Sequence, residues 1–257
     1  MNRTQFLLVS FLLSACDGSL TDLSGAGIGI GSNPVPEKVG GVWKGADSDG
    51  HPVLALTTEG GLLTWISQDT GEQGFGTVSV NGIDTNIHYT LVVPLGSSLA
   101  DGSMSAECDG GGSIGERAFW LVNVNCTTSL GGSIESFTEL TYDASHLRDS
   151  SFAVFAGDYD DSGLVFSVST TGEIFEQDPV SGCVVNGQIS YIRREFNLYD
   201  VSISYSNCTG GEIELNGSTF TGLATLDDSV EPETAVFGLT GAVGEETYSL
   251  ALQLPRL

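Results

Sequence analysis

From Gly41 onward the chain is written in short alternating runs of apolar and polar residues, separated by glycine-bearing pairs. The runs include Val53–Leu56, Leu62–Ile66, Thr77–Val80, Ile87–Val93 and Ala118–Val124. The punctuation includes Glu59-Gly60-Gly61, Asn81-Gly82, Asp101-Gly102, Asp109-Gly110 and Gly131-Gly132. Alternation sends successive side chains to opposite faces of a strand, and Asn-Gly or Asp-Gly pairs supply the positive φ that tight hairpins need. No window carries apolar residues at a 3.6-residue period between caps, so very little helix is expected. Such a chain is all-β. Glycine is abundant at 35 residues, yet 40% of the residues are apolar, enough for a packed core.

The runs divide into two halves of about eight strands each. In the first half they lie near 41–45, 52–57, 62–67, 75–80, 86–94, 102–108, 118–125 and 133–142. In the second they lie near 152–157, 163–169, 173–177, 183–191, 197–206, 217–226, 234–240 and 246–254. Eight sequential antiparallel strands in about 100 residues suit a small up-and-down barrel, because closure removes exposed sheet edges. The expected organisation is a barrel-like domain at 41–143, a linker at 144–150 and a second barrel-like domain at 151–257. Several strands of five or six residues are too short for a membrane-spanning barrel.

The halves resemble each other. Thr57–Leu63 aligns with Ser169–Phe175, Gly76–Ser79 with Gly187–Ser190, and Asn86–Leu91 with Asn197–Ser202. The offset stays at 111 to 112 residues, and three ordered blocks at one offset favour an internal duplication.

Cys108, Cys126, Cys183 and Cys208 show no Cys-x-x-Cys spacing, which disfavours redox and zinc motifs. Each half holds one pair, placed symmetrically about a reversal at Arg117 or at Glu195-Phe196. Opposite residues of an antiparallel pair lie close enough to be bridged, so Cys108–Cys126 and Cys183–Cys208 are the expected disulfides.

The N-terminus has a different character. Arg3 gives a positive start, Phe6–Leu13 is apolar except for Ser10, and Leu13-Ser14-Ala15-Cys16 closes the run. This is the form of a secretory signal, and its apolar run is too short to cross a bilayer. Leu13–Cys16 resembles the lipobox of bacterial lipoproteins. The resemblance implies a signal peptide at 1–15, cleavage before Cys16, and acyl chains such as palmitate on that cysteine. It implies a home in the cell envelope, facing the periplasm or the cell surface. In the Gram-negative sorting rule Asp17 implies retention at the inner membrane. Residues 16–40, rich in Gly, Ser and Pro, read as a flexible tether; about 20 such residues span roughly 25 Å. Export also agrees with an even number of remaining cysteines.

Gly41-Val42-Trp43-Lys44-Gly45 resembles the Gly-x-Trp opening of lipocalin and avidin-like barrels, which implies a barrel over a sandwich. The expected partner strand at 152–157 has no tryptophan.

Without residues 1–15 the chain carries 7 Lys/Arg against 33 Asp/Glu, a formal charge of −26. It would repel phosphate backbones, so nucleic acid is not an expected partner. The charge is compatible with a basic protein or a cation as partner, and most simply serves solubility in a salty habitat, since the acids are spread along the chain. Asp158–Gly163 starts like a calcium loop, but Ser169 stands where the closing glutamate belongs, and Asp47-Ser48-Asp49-Gly50 is a similar turn. Both read as hairpin turns, and no metal or cofactor is expected. His51, His88 and His146 are dispersed, no Gly-x-Ser-x-Gly elbow occurs, and the acidic pairs Asp160-Asp161 and Glu245-Glu246 fall in turn-like segments. Catalysis is not expected. Trp43, Trp65, Trp120, Phe166, Phe175, Phe196 and Tyr205 are read as strand residues that fill a barrel or line a cavity in it.

The leading expectation is a lipid-anchored, non-catalytic protein that binds a small apolar molecule or an envelope component. The alternative is an acidic module that binds or inhibits a basic protein such as a lysozyme, by fold-level analogy with eight-stranded lipoprotein inhibitors.

Overall fold

The computed structural model describes residues 38–257. The expected signal peptide at 1–15, Cys16 and nearly all of the expected tether lie outside the described residues. The first half forms β1 (Gly41–Asp47), β2 (Pro52–Thr57), β3 (Leu62–Ser67), β4 (Gln73–Asn81), β5 (Asp84–Val92), β6 (Ser105–Gly115), β7 (Phe119–Thr128) and β8 (Ser133–Tyr142). The second forms β9 (Gly157–Asp161), β10 (Leu164–Val168), β11 (Glu173–Gln177), β12 (Val184–Tyr191), β13 (Tyr199–Ser206), β14 (Thr219–Asp227), β15 (Thr234–Val243) and β16 (Glu246–Pro255). The architecture is all-β, two tandem eight-stranded antiparallel barrel-like units. No helix among the described residues is long and apolar enough to cross a membrane.

In the first unit each strand pairs with the next, and β1 closes on β8 through Trp43↔Tyr142 to Asp47↔Thr138, so no edge is left. The second unit is a curled meander ordered β9 to β16. Its seam is held by an isolated Tyr159↔Arg256 bridge and a Leu257 N–H bond to the Asp158 carbonyl. Arg256 stitches that seam: its guanidinium donates to the carbonyls of Val154 and Ala156 and pairs with Glu233 at 3.0 Å.

The ladder registers make the repeat explicit. The β2–β3 and β10–β11 turns share their hydrogen bonds: Thr58 and Ser169 each accept from the N–H four residues on, and Gly61 and Gly172 both adopt φ 84°. At both glycines a Cβ would strike a neighbouring backbone carbonyl, of Val78 or Ile189, so the turn requires glycine. Thr58 therefore matches Ser169, which fixes this block at 111 residues. The third block falls on equivalent strands but out of register: Val78 faces Ile87 while Ile189 faces Val201, an offset of 114. The longer connection 192–198 causes the slip.

Two other expectations are corrected. The segment at 152–157 is not a strand: Phe152–Phe155 is one turn of helix, α1, and β9 begins at Gly157. Four apolar residues in a row fit either state, and Ser151 in extended backbone starts the helical turn. The strand equivalent to β1 is thus β9, where Tyr159 pairs with Phe166 as Trp43 pairs with Ala55. Asp109-Gly110 is not a turn either. It lies inside β6, and the chain reverses at Arg117, where φ is 55°.

The barrels pack side by side. Outward-facing Val42, Leu54, Leu56 and Ile66 of β1–β3 form one buried cluster with Leu198, Leu223 and Val236. This is why β2 is apolar on both faces. Each such Leu or Ile contributes about 1.5–3 kcal/mol by leaving water. Polar contacts frame the cluster: Ser249 N–H donates to the Val93 carbonyl at 3.0 Å and Ser249 Oγ to the Gly71 carbonyl at 2.8 Å. The linker is an ordered strap, with His146 buried and stacked on Phe196 at 4.7 Å. Burial, helped by the charge of Arg117, lowers His146 to about 4.

Candidate functional site

An up-and-down meander gathers alternate connections at opposite ends, and here one end of each barrel is plugged. In the first, Trp43 and Trp120 are fully buried and meet edge-to-face at 5.7 Å. Their indole N–H groups are satisfied: Trp43 donates to Thr57 Oγ1 and the Val39 carbonyl at 3.1 Å, Trp120 to Thr85 Oγ1 at 3.2 Å. In the second barrel α1 carries Phe155 into the same end, against Tyr199 and Phe237. Arg256 and burial act in opposite senses on the neighbouring Tyr159 phenol, and burial prevails, pushing it up to about 12.

The other ends are open. The first mouth is a bowl of about 430 Å³ walled by Val53, Trp65, Tyr89, Leu91 and Ile134, with His51, Glu72 and Glu135 on its rim. Trp65 and Tyr89 lie with rings nearly parallel, 9° apart at a centroid distance of 6.4 Å. Burial raises the Tyr89 phenol far above its ordinary value, so it stays neutral, and raises the Glu72 carboxyl.

The second mouth encloses about 290 Å³ between Leu164, Val185, Tyr205, Leu250 and Leu252. Its chemistry is different. Glu176 pairs with Val185 as Trp65 pairs with Gly74, so Glu176 occupies the tryptophan's place in the repeat. Burial first, then the Asp161 carboxylate, holds Glu176 up to about 7.

Both disulfides sit at these open ends. Cys108 and Cys126 are directly opposite across the β6–β7 ladder, their Cα atoms 4.0 Å apart. Cys183 and Cys208 are bonded just beyond the last β12–β13 pair, Val184↔Ser206, so this bridge ties two connections rather than two strands.

The aromatic expectations divide. Trp43, Trp65, Trp120, Phe166 and Tyr205 point inward as read. Phe175 is 49% exposed on the outer face of β11, and Phe196 lies in the 192–198 connection against His146. The alternation Ile174-Phe175-Glu176 could have shown this, because Ile174 and Glu176 share the inner face. The carboxylates of Asp47 and Asp160 cap their own turns, accepting from His51 N–H at 2.9 Å and Gly163 N–H at 2.8 Å. His51 pairs with Asp47 and His88 with Asp109; among the described residues no histidine bonds a hydroxyl or a thiol.

Three of the basic residues have internal work. Lys44 spans Asp143 and Asp227, Arg148 pairs with Asp228, and Arg256 holds the second seam. The acidic surface is left with few partners of opposite sign. No known family model and no curated protein matches this chain.

Proposed function

We propose that this is a non-catalytic binding protein of the bacterial cell envelope, anchored by lipid on Cys16, that takes a small, largely apolar molecule into its first barrel. The bowl of about 430 Å³ with Trp65 and Tyr89 in its wall carries this reading. Its size lies within the roughly 300–1,000 Å³ of ordinary ligand pockets, with apolar walls and a few polar rim groups. Trp43 and Trp120 block the far end, so a compact ring-bearing molecule fits better than a long chain. No cofactor enters this reading. Equilibrium binding of uncharged aromatic probes to the full-length chain tests it: one saturable site per chain supports it, and none would refute it.

The anchor follows from the lipobox resemblance, with Asp17 favouring the inner membrane. Mass spectrometry of the N-terminal peptide should find Cys16 acylated, and Cys16→Ser should release the protein from membranes.

A second reading, capture of a basic protein, is favoured by the internal use of Lys44, Arg148 and Arg256, which leaves the acidic surface uncompensated. Such binding would weaken steeply with salt, whereas apolar capture would not.

A further inference from the structure

We propose that the mouth of the second barrel is a site for an organic cation, an ammonium or guanidinium group on an apolar stem, seated on Glu176 and Asp161. The inference does not depend on the first barrel's ligand. Glu176 points inward from β11, is only 7% exposed, and its Oε2 has no hydrogen-bond donor. A buried carboxylate in that state is costly until a donor reaches it.

Every charged group facing Glu176 has the same sign. Asp161 comes from the end of β9, Asp178 from just beyond β11, and Glu212 from the connection between β13 and β14. The neutral Tyr205 phenol faces it from β13. The remaining wall, Leu164, Val185, Leu250 and Leu252, is apolar and suits a carbon stem. Among the described residues no three His, Cys, Asp or Glu side chains converge as metal ligands, which directs the reading to an organic cation. An ammonium group would supply the donors that Glu176 lacks and offset the repulsion from Asp161, Asp178 and Glu212. Protonation of Glu176 removes the charge a cation needs, so binding strengthens as pH rises from 6 to 8.

The test is calorimetric titration of the full-length chain with n-hexylammonium, n-hexanol and a tetralysine peptide at pH 8. Hexylammonium should bind once per chain, at least tenfold tighter than hexanol, and lose at least tenfold at pH 5.5. Glu176→Gln and, separately, Asp161→Asn should abolish the preference for charge, with circular dichroism verifying the fold of each. Tryptophan emission should stay unchanged, because all three tryptophans belong to the first half. Tighter binding of tetralysine than of hexylammonium would make a protein side chain the source of the cation; the reverse would make it a free amine. Equal affinity for hexanol and hexylammonium, no binding of either cation, or full affinity in both variants would overturn the proposal.

Discussion

Lys44 Nζ lies 2.6 Å from Asp227, on the far side of the interface between the barrels, and 2.5 Å from Asp143 on its own side. One ammonium group thus joins two carboxylates from the two halves of the chain. Burial alone would lower Lys44, but the hydrogen bonds and charges of Asp143 and Asp227 outweigh it and raise its pKa. Both aspartates, against the effect of burial, are lowered by that same partner.

Lys44→Met should therefore destabilise the protein. The side chain is 38% exposed, so solvent screens the pairs, and the expected loss is about 1–2 kcal/mol, roughly 2–8 °C in melting temperature. The sign with pH follows from the lowered aspartates. Their contribution is complete above the unfolded carboxylate value of about 4 and fades as pH falls through the folded values. Melting curves of wild type and variant should converge near pH 2. A gap that persists there would assign the effect to the lysine stem and not to its charge.

Glu176 should behave in the opposite sense. Its folded value of about 7 lies above the ordinary carboxyl value of 4.5, so the folded protein holds a proton that the unfolded chain releases between those pH values. Stability from this group falls as pH rises from 4.5 to 7. Glu176→Gln should raise the melting temperature at pH 8 by about 2–8 °C, roughly 1–2 kcal/mol after allowing for the open mouth, and leave it unchanged at pH 4. Calorimetric melts at the two pH values decide this. Destabilisation at pH 8 would contradict it.

Peptide mapping without reductant should recover Cys108–Cys126 and Cys183–Cys208 and no bridge between the halves. Replacing either pair by alanine should cost about 2–4 kcal/mol, because each closes a loop in the unfolded chain. Denaturant titration measures the loss. A change within error for both pairs would remove the disulfides from the account of stability.

Most of the strand succession could be read from glycine-bearing turns and alternation, since Gly61, Gly82, Gly102 and Gly131 do take positive φ. The cysteine pairing followed from the same hairpin logic. What escaped was what tertiary packing decides. Val53–Leu56 reads as an alternating run, and only the folded chain shows the second barrel covering the outward-facing Leu54 and Leu56. Phe152–Phe155 could be strand or helix until Phe155 is seen filling the barrel's plugged end. Glu176 was legible only in register: counting from the Gly172 turn places it opposite to Phe175 and at the position of Trp65. The open mouths themselves carry no local signal, because a cavity is a relation among strands distant in sequence.

The most direct test of the account is titration of the full-length chain with N-phenyl-1-naphthylamine, an uncharged aromatic probe, followed through tryptophan emission. Trp65, 8% exposed at the first mouth, is the expected reporter, whereas Trp43 and Trp120 are sealed at the plugged end. The account predicts saturable quenching with one site per chain, little dependence on salt, loss of the signal in Trp65→Phe, and about tenfold weaker binding in Tyr89→Ala, a loss of roughly 1.4 kcal/mol. No saturable quenching, or quenching that persists unaltered in both variants, would contradict it.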